Sequence, residues 1–328
     1  MRVFVVGGAG YIGSHVCKKL LAAGHRVTVY DNLSSGLQEN IRPESGFVLG
    51  DIHDGLRLRA ELDAFRPDAV IHLAASKAAG ESMTDPVKYS YNNLIGSIEL
   101  IDACVELGVK TFLLSSSAAV YGNPVYLPID EKHPTEPENY YGFTKLEIER
   151  VLAWNSRLRG MRYGALRYFN AAGYDCEGEL HGLERNPANL LPVVMETALG
   201  IRPKMTVFGN DYPTPDGTCI RDYIHVDDLA RAHVLALEWI EAERKDLTVN
   251  LGTGRGVSVL EMISEAERIV GHPFDWSVGP RREGDSTELY ASSAKAKELL
   301  GWEARCSDVN TLLSTTYAAY RANLPDAK

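Results

Sequence analysis

Cysteine is scarce and scattered in this chain. Cys17, Cys104, Cys176, Cys219 and Cys306 are spread over 328 residues, without a C-x-x-C pair and odd in total. That excludes a disulfide-built mini-scaffold and fits reduced thiols in a cytoplasmic protein. No stretch approaches the roughly 20 apolar residues of a membrane span. Met1-Arg2 runs straight into the strand-like Val3-Phe4-Val5-Val6, so no signal peptide is expected either. Basic residues are the minority, 34 Lys and Arg against 44 Asp and Glu, for a formal net charge of −10. This disfavours a broad nucleic-acid or anionic-membrane surface but leaves room for a local basic pocket. The nine His include no H-x-x-E-H or similar spacing, so no metal is expected, and His225 beside Asp227-Asp228 reads as a helix start. Internal repeats and low-complexity tracts are absent too. With 45% apolar residues the chain can bury the core of one large α/β domain, or of a domain with a smaller lobe.

Strands are expected at residues 2–6, 26–30, 46–49, 69–73, 111–115 and 163–167. Amphipathic helices are expected between them at 12–23, 55–65, 86–107 and 140–159. The strands are continuous apolar runs, as in a sheet covered on both faces. Such alternation predicts a doubly wound parallel sheet, with ligands beyond the carboxyl ends of its strands. After about Asn170 the texture changes. Loops rich in Gly, Pro, Asn and Asp (173–187, 209–217) alternate with strands at 206–208, 248–251 and 274–278 and helices at 226–243, 259–270 and 309–323. The expected division is a nucleotide-binding domain at 1–170 and, at 171–328, a smaller α/β substrate lobe that returns some chain to the first sheet.

Gly7-Gly8-Ala9-Gly10-Tyr11-Ile12-Gly13 follows the first strand and opens the first helix. Glycines suit a tight turn whose backbone N–H groups must approach a pyrophosphate at a helix N-terminus. Asp31 closes the second strand 18 residues after Gly13. An acid there accepts from the adenosine ribose hydroxyls and repels a 2′-phosphate, which favours NAD over NADP. Asp51-Ile52 after the third strand is placed to flank the adenine. Leu73-Ala74-Ala75 at the end of the fourth lets backbone approach the cofactor.

The fifth strand ends in Ser115-Ser116-Ser117, and 24 residues after Ser117 stands Tyr141, with Lys145 one helical turn further on. A phenol of pKa near 10 is a poor base at neutral pH. An adjacent ammonium and a positive nicotinamide ring favour the phenolate, and a shift of about 3 units corresponds to roughly 4 kcal/mol. Ser117 can bond the reacting hydroxyl and relay its proton while hydride leaves carbon for NAD.

Together these motifs resemble the extended short-chain dehydrogenase/reductase family and, within it, the UDP-glucose (galactose) 4-epimerases. The matching blocks run in order along nearly the whole chain: residues 7–15, Asp31-Asn32-Leu33, Lys77-Ala78-Ala79-Gly80-Glu81-Ser82, 115–122, Arg167-Tyr168-Phe169-Asn170, 208–214, Gly217-Thr218, 221–226, Asn250-Leu251-Gly252 and 281–285. The resemblance implies two lobes, tightly held NAD and reversible C4 epimerisation of UDP-galactose and UDP-glucose through a transient 4-keto sugar. It makes Tyr141 the base, Ser117 the relay and Lys145 the ribose-binding activator. It adds Ser34, Ser35, Gly36, Lys77, Asn92 and Phe169 to the cofactor site. For the UDP-sugar it implies Ser117, Tyr141, Asn170, Asn189, Leu190, Thr206, Val207, Phe208, Arg221, Arg282, Asp285 and Leu289; Arg281 is expected to be a surface ion-pair residue. It also implies a cytoplasmic homodimer formed through helices such as 86–107 and 140–159.

Three positions bear on the reaction. Relatives that dehydrate or decarboxylate nucleotide sugars tend to carry acids just after the strand-end Ser or Thr. Here Ala118-Ala119 offer none, which favours simple epimerisation. Tyr140 stands where relatives often have Pro, and Leu289 where many have a Tyr gating the sugar pocket. A smaller residue at 289 either admits UDP-GlcNAc and UDP-GalNAc or only repacks with its neighbours. A non-catalytic NAD-sensing regulator would have no use for Ser117, Tyr141 and Lys145 together.

Overall fold

Strands that are continuous apolar runs need cover on both faces, and the central ones receive it. The computed structural model describes residues 1–185, 187, 189–282 and 285–324. Its strands are β1 (Arg2–Val6), β2 (Arg26–Asp31), β3 (Gly46–Leu49), β4 (Ala69–His72), β5 (Thr111–Ser117), β6 (Arg162–Tyr168) and β7 (Asn170–Ala172). Then come β8 (Met205–Phe208), β9 (Ile220–Arg221), β10 (Tyr223–His225), β11 (Leu247–Leu251), β12 (Val257–Ser258), β13 (Trp276–Gly279) and β14 (Glu288–Leu289). The first helices are α1 (Tyr11–Ala22), α2 (Gly55–Phe65), α3 (Ala79–Thr84), α4 (Pro86–Tyr89), α5 (Gly96–Glu106) and α6 (Tyr140–Arg159). The rest are α7 (Leu190–Ala198), α8 (Val226–Glu243), α9 (Val259–Val270), α10 (Ala294–Leu300) and α11 (Val309–Ala322).

Seven strands form one parallel sheet in the order β11-β6-β5-β4-β1-β2-β3. The period-2 alternation of β1 shows why both faces are apolar. Val3 and Val5 enter the core shared with α1, α8 and α10, while Phe4 and Val6 enter the core shared with α2, α5 and α6. Chain order reverses beside β1, between β4 and β2, and that reversal opens the ligand crevice of such sheets. A further core gathers α7, α9, α11 and β8.

Six expected elements, 2–6, 46–49, 55–65, 140–159, 226–243 and 259–270, match their observed bounds, and most others shift by a residue or two. Caps explain several ends: Asp54 accepts from Arg57 N at 3.1 Å, Asn139 from Gly142 N at 2.9 Å, and Gly160 ends α6 in the left-handed region. The helix expected at 86–107 is instead α4, a π-helical stretch at Ser90–Ile95, and α5. The wider turn brings Asn92 and Asn93 to Ser76, a tertiary demand that periodicity does not register. The strand expected from 274 starts at Trp276, because Phe274 packs into the smaller core. β5 runs past 115 through Ser117, paired with Tyr168. Helices α7 and α10 lie in stretches where no helix is expected. No helix among the described residues is long and apolar enough to cross a membrane.

Candidate active site

The glycine turn between β1 and α1 is enforced by close backbone approach. Gly7 has φ +86°, and a Cβ there would lie 2.5 Å from Ala74 N; a Cβ on Gly13 would lie 2.2 Å from Gly7 O. Gly10 precedes α1 with no side-chain cap, so the first N–H groups of the helix, including those of Tyr11 and Ile12, keep their donors for an anion. Asp31, at the end of β2, accepts from Ala9 N at 2.9 Å and Leu33 N at 2.8 Å, with Leu33 itself at φ 58°. Asn32 Nδ2 donates to Asp51 Oδ2 at 2.8 Å, joining the ends of β2 and β3. Leu73 N and Ala74 N both donate to Val6 O, which brings the end of β4 against the glycine turn. Ser34-Ser35-Gly36 returns to this rim, where a Cβ on Gly36 would meet that of Ala9 at 2.9 Å. The chain thus builds a backbone-lined cradle with one carboxylate at its far end, which fits a dinucleotide.

Beside that cradle β5 ends at Ser117, whose Oγ accepts from Ala119 N at 3.1 Å and starts the turn Ala118–Val120. A Cβ on Gly142 would lie 2.3 Å from Ala119 O, so α6 begins hard against this turn. The phenol of Tyr141 lies beside the Ser117 hydroxyl. Lys145 lies 5.9 Å from the Tyr141 ring centroid and donates from Nζ to Ser115 O at 2.9 Å. Burial raises the Tyr141 phenol above its ordinary value, opposed by the Ser117 hydroxyl. Burial also pushes Lys145 down to about 8, opposed by the Glu149 carboxylate. Desolvation therefore works against both ions, and a phenolate here needs cationic help beyond Lys145.

The remaining expected residues take varied places. Lys77 pairs with Glu184; Asn92 Nδ2 donates to Ser76 Oγ at 3.1 Å; Phe169 is buried. Asn170 donates from Nδ2 to Asp222 O at 2.9 Å. Asn189 precedes Leu190 at the uncapped start of α7. Thr206 and Phe208 share one face of β8, but Val207 turns into the smaller core. Strand alternation explains why its side chain lies on the opposite face from theirs. Arg221 lies 3.3 Å from Asp285, and the Arg282 guanidinium sits 3.9 Å over the Phe208 ring. Arg281 pairs with Asp211 at 2.7 Å and stacks on Tyr212, as expected of an ion-pair residue. Leu289 is in register with Arg221 and packs against the cluster containing Ala118, Tyr121 and Phe169. The middle of the 281–285 block, Glu283-Gly284, lies outside the described residues. His225 caps α8, its Nδ1 accepting from Asp227 N at 3.1 Å. Cys176, His225 and Asp227 do converge, but that capping bond occupies the imidazole lone pair that neutral ligation through Nε2 would require protonated.

The sequence profile of the NAD-dependent epimerase/dehydratase family matches residues 3–252. The chain belongs to that family. Among its relatives is the UDP-glucose 4-epimerase of Halalkalibacterium halodurans, 45% identical over 95% of this chain and 93% of that protein. Among solved structures, that of UDP-glucose 4-epimerase from Brucella ovis in complex with NAD superposes with TM-score 0.94. It is 47% identical, over 96% of this chain and 97% of the other. The UDP-glucose 4-epimerase from Stenotrophomonas maltophila, with bound NAD and formylated UDP-arabinopyranose, gives TM-score 0.94 at 40% identity over 98% of both chains.

Several residues that shape the site of this family member escape a motif reading. Ser82 Oγ accepts from Tyr141 N at 3.0 Å and so caps α6 from outside it. Buried Asn93 clamps Ser76 through both N and O. Asp222 gathers N–H donors from Thr253, Gly254 and Ala291. Each acts across a long sequence separation, which local spacing cannot reveal. Glu149 is the exception, since its position four residues after Lys145 marks the same helix face.

Proposed function

We propose that the chain is a cytoplasmic, NAD-dependent UDP-hexose 4-epimerase that interconverts UDP-galactose and UDP-glucose and serves galactose metabolism. The observation that carries this reading is the meeting of Ser117, Tyr141 and Lys145 beside the glycine cradle, with only Ala118-Ala119 where an eliminating enzyme would carry an acid. NAD, held by the glycine turn, Asp31 and the ends of β3 and β4, supplies the acceptor and donor of hydride. Tyr141 takes the proton of the sugar 4-hydroxyl, and the neighbouring Ser117 hydroxyl relays it. Lys145 and the positive cofactor ring offset the burial that disfavours the phenolate. Return of the hydride to the other face and of the proton from Tyr141 completes a reaction without net redox change.

Two lobes serve this division of labour: residues 1–170 for the cofactor, and mainly 171–328 for the UDP-sugar, with α8 and β11 returning to the first sheet. Arg221 and Arg282 neutralise the diphosphate, the open start of α7 at Asn189-Leu190 adds backbone donors, and Asp285 suits uridine ribose hydroxyls. Leu289, half-buried beside Phe169, sets the size of the sugar pocket. Purified protein incubated with UDP-galactose or UDP-GalNAc should form UDP-glucose and UDP-GlcNAc respectively, followed by chromatography. Leu289→Tyr should keep the first conversion and lose the second at least about tenfold, since an added ring overfills a packed site by 1–3 kcal/mol. No conversion of UDP-galactose would refute the epimerase reading, and none of UDP-GalNAc the specificity reading.

The enzyme is a homodimer in this reading. Tyr91, Ile95 and Ile98 leave an exposed apolar stripe on one helix, and Phe143, Trp154 and Leu158 on its neighbour α6. A contiguous patch of this kind marks an association surface. Ile98→Glu with Trp154→Glu should halve the mass seen by sedimentation and leave NAD bound. A wild-type protein that already sediments as a monomer would contradict the assignment.

A further inference from the structure

A buried ion pair stands directly behind the proposed catalytic residues. Glu149 lies one turn beyond Lys145 on α6, and Arg167 is on β6 beside Tyr168. Both are more than nine-tenths buried. Arg167 grips the carboxylate with two bonds, Nε to Oε1 at 3.0 Å and Nη2 to Oε2 at 2.5 Å. Ser116 Oγ, one residue before Ser117, donates to Oε1 at 2.5 Å. Arg167 also donates to Tyr121 OH at 3.1 Å, and Tyr121 to Asn250 Oδ1 at 2.6 Å, so the frame is anchored as far as β11. A buried pair of this sort is weak evidence for stability, because packed apolar groups often do as well. Its place beside a buried ammonium gives it another role.

Lys145 is 2% exposed, and its Nζ takes the carbonyl of Ser115. Facing it on its own helix are Tyr141 and Glu149. Across β4 stands His72, held neutral by burial at about 3. On β6 Tyr168 is pushed well up by burial. From α8, His233 accepts the Ser115 hydroxyl proton at 2.7 Å through Nε2 while Nδ1 donates to Leu229 O at 2.8 Å; burial holds it neutral at about 4. Arg167 adds a second cation behind Glu149. Of these groups only Glu149 contributes a negative charge.

We propose that Glu149 is a positioning residue for the proposed epimerase reaction: fixed by Arg167 and Ser116, its carboxylate keeps Lys145 charged in the dry interior, where it can stabilise the Tyr141 phenolate. The proposal rests on the epimerase reading for its kinetic test. Removing the negative charge makes proton loss easier at both members of the Lys145–Tyr141 pair. In the NAD-loaded enzyme Glu149→Gln should therefore move the alkaline limb of kcat for UDP-galactose down by about one pH unit. The midpoint of Tyr141 phenolate formation, read by ultraviolet absorbance with Tyr141→Phe as blank, should fall as well. Glu149→Asp keeps the charge but shortens the reach, so it should lower Tm while leaving the limb near the wild-type position. If Glu149→Gln does not fold, Glu149→Gln with Arg167→Met leaves no bare buried cation and should shift both midpoints in the same direction by less, since the more distant cation is lost with the carboxylate. A lower kcat at every pH with both midpoints unmoved, or equal shifts for Asp and Gln, would overturn the proposal. Absent epimerisation by the wild type would instead sink the epimerase reading, and the phenolate titration would still decide the role of Glu149.

Discussion

Tyr141→Phe should leave NAD bound and reduce conversion of UDP-galactose by about three orders of magnitude, within the range of a lost general base. The ring stays, so the packing at the start of α6 stays, and only the hydroxyl beside Ser117 is removed. Ser117 cannot substitute, because its Oγ is tied to Ala119 N at the strand end. Nor can Lys145, whose Nζ is directed at the Ser115 carbonyl. Retained NAD is measured by absorbance after denaturation, and turnover by chromatography of the UDP-sugars. Near-wild-type turnover would remove Tyr141 from the chemistry.

Gly13→Val should yield protein without bound NAD and with a Tm several degrees lower. A Cβ at this position would lie 2.2 Å from Gly7 O and 2.8 Å from Gly8 Cα. Both neighbours are backbone, so nothing flexible can swing aside and the turn itself must open. Overpacking of this kind costs about 1–3 kcal/mol. The same movement takes the α1 N–H groups away from the pyrophosphate, so cofactor loss should be nearly complete. Cofactor content and a melting curve check both parts, and a variant that purifies with full NAD would show that the turn tolerates the side chain.

Much of the site was legible because its chemistry is carried by short, local patterns. The glycine turn and Tyr141 with Lys145 each lie within a few residues, and the secondary structure that presents them follows from apolar runs and caps. Strand ends were less legible: β5 continues to Ser117 because it pairs with Tyr168, a partner 51 residues away. That the Val207 side chain packs into the smaller core was not legible either, since the face of a two-residue alternation depends on what packs above the strand.

By itself the sequence determined the doubly wound sheet, the glycine turn and the placing of Tyr141 and Lys145 on one helix face, because periodicity and helix geometry act over one or two turns. The tertiary structure alone decided the bonds that tie Ser82 to Tyr141, Arg167 to Glu149 and Asp222 to the loop after β11. It also decided the burial of Tyr141 and Lys145. Burial and a countercharge set whether a lysine and a phenol are ionised, and both arise only when segments far apart in the chain exclude water together.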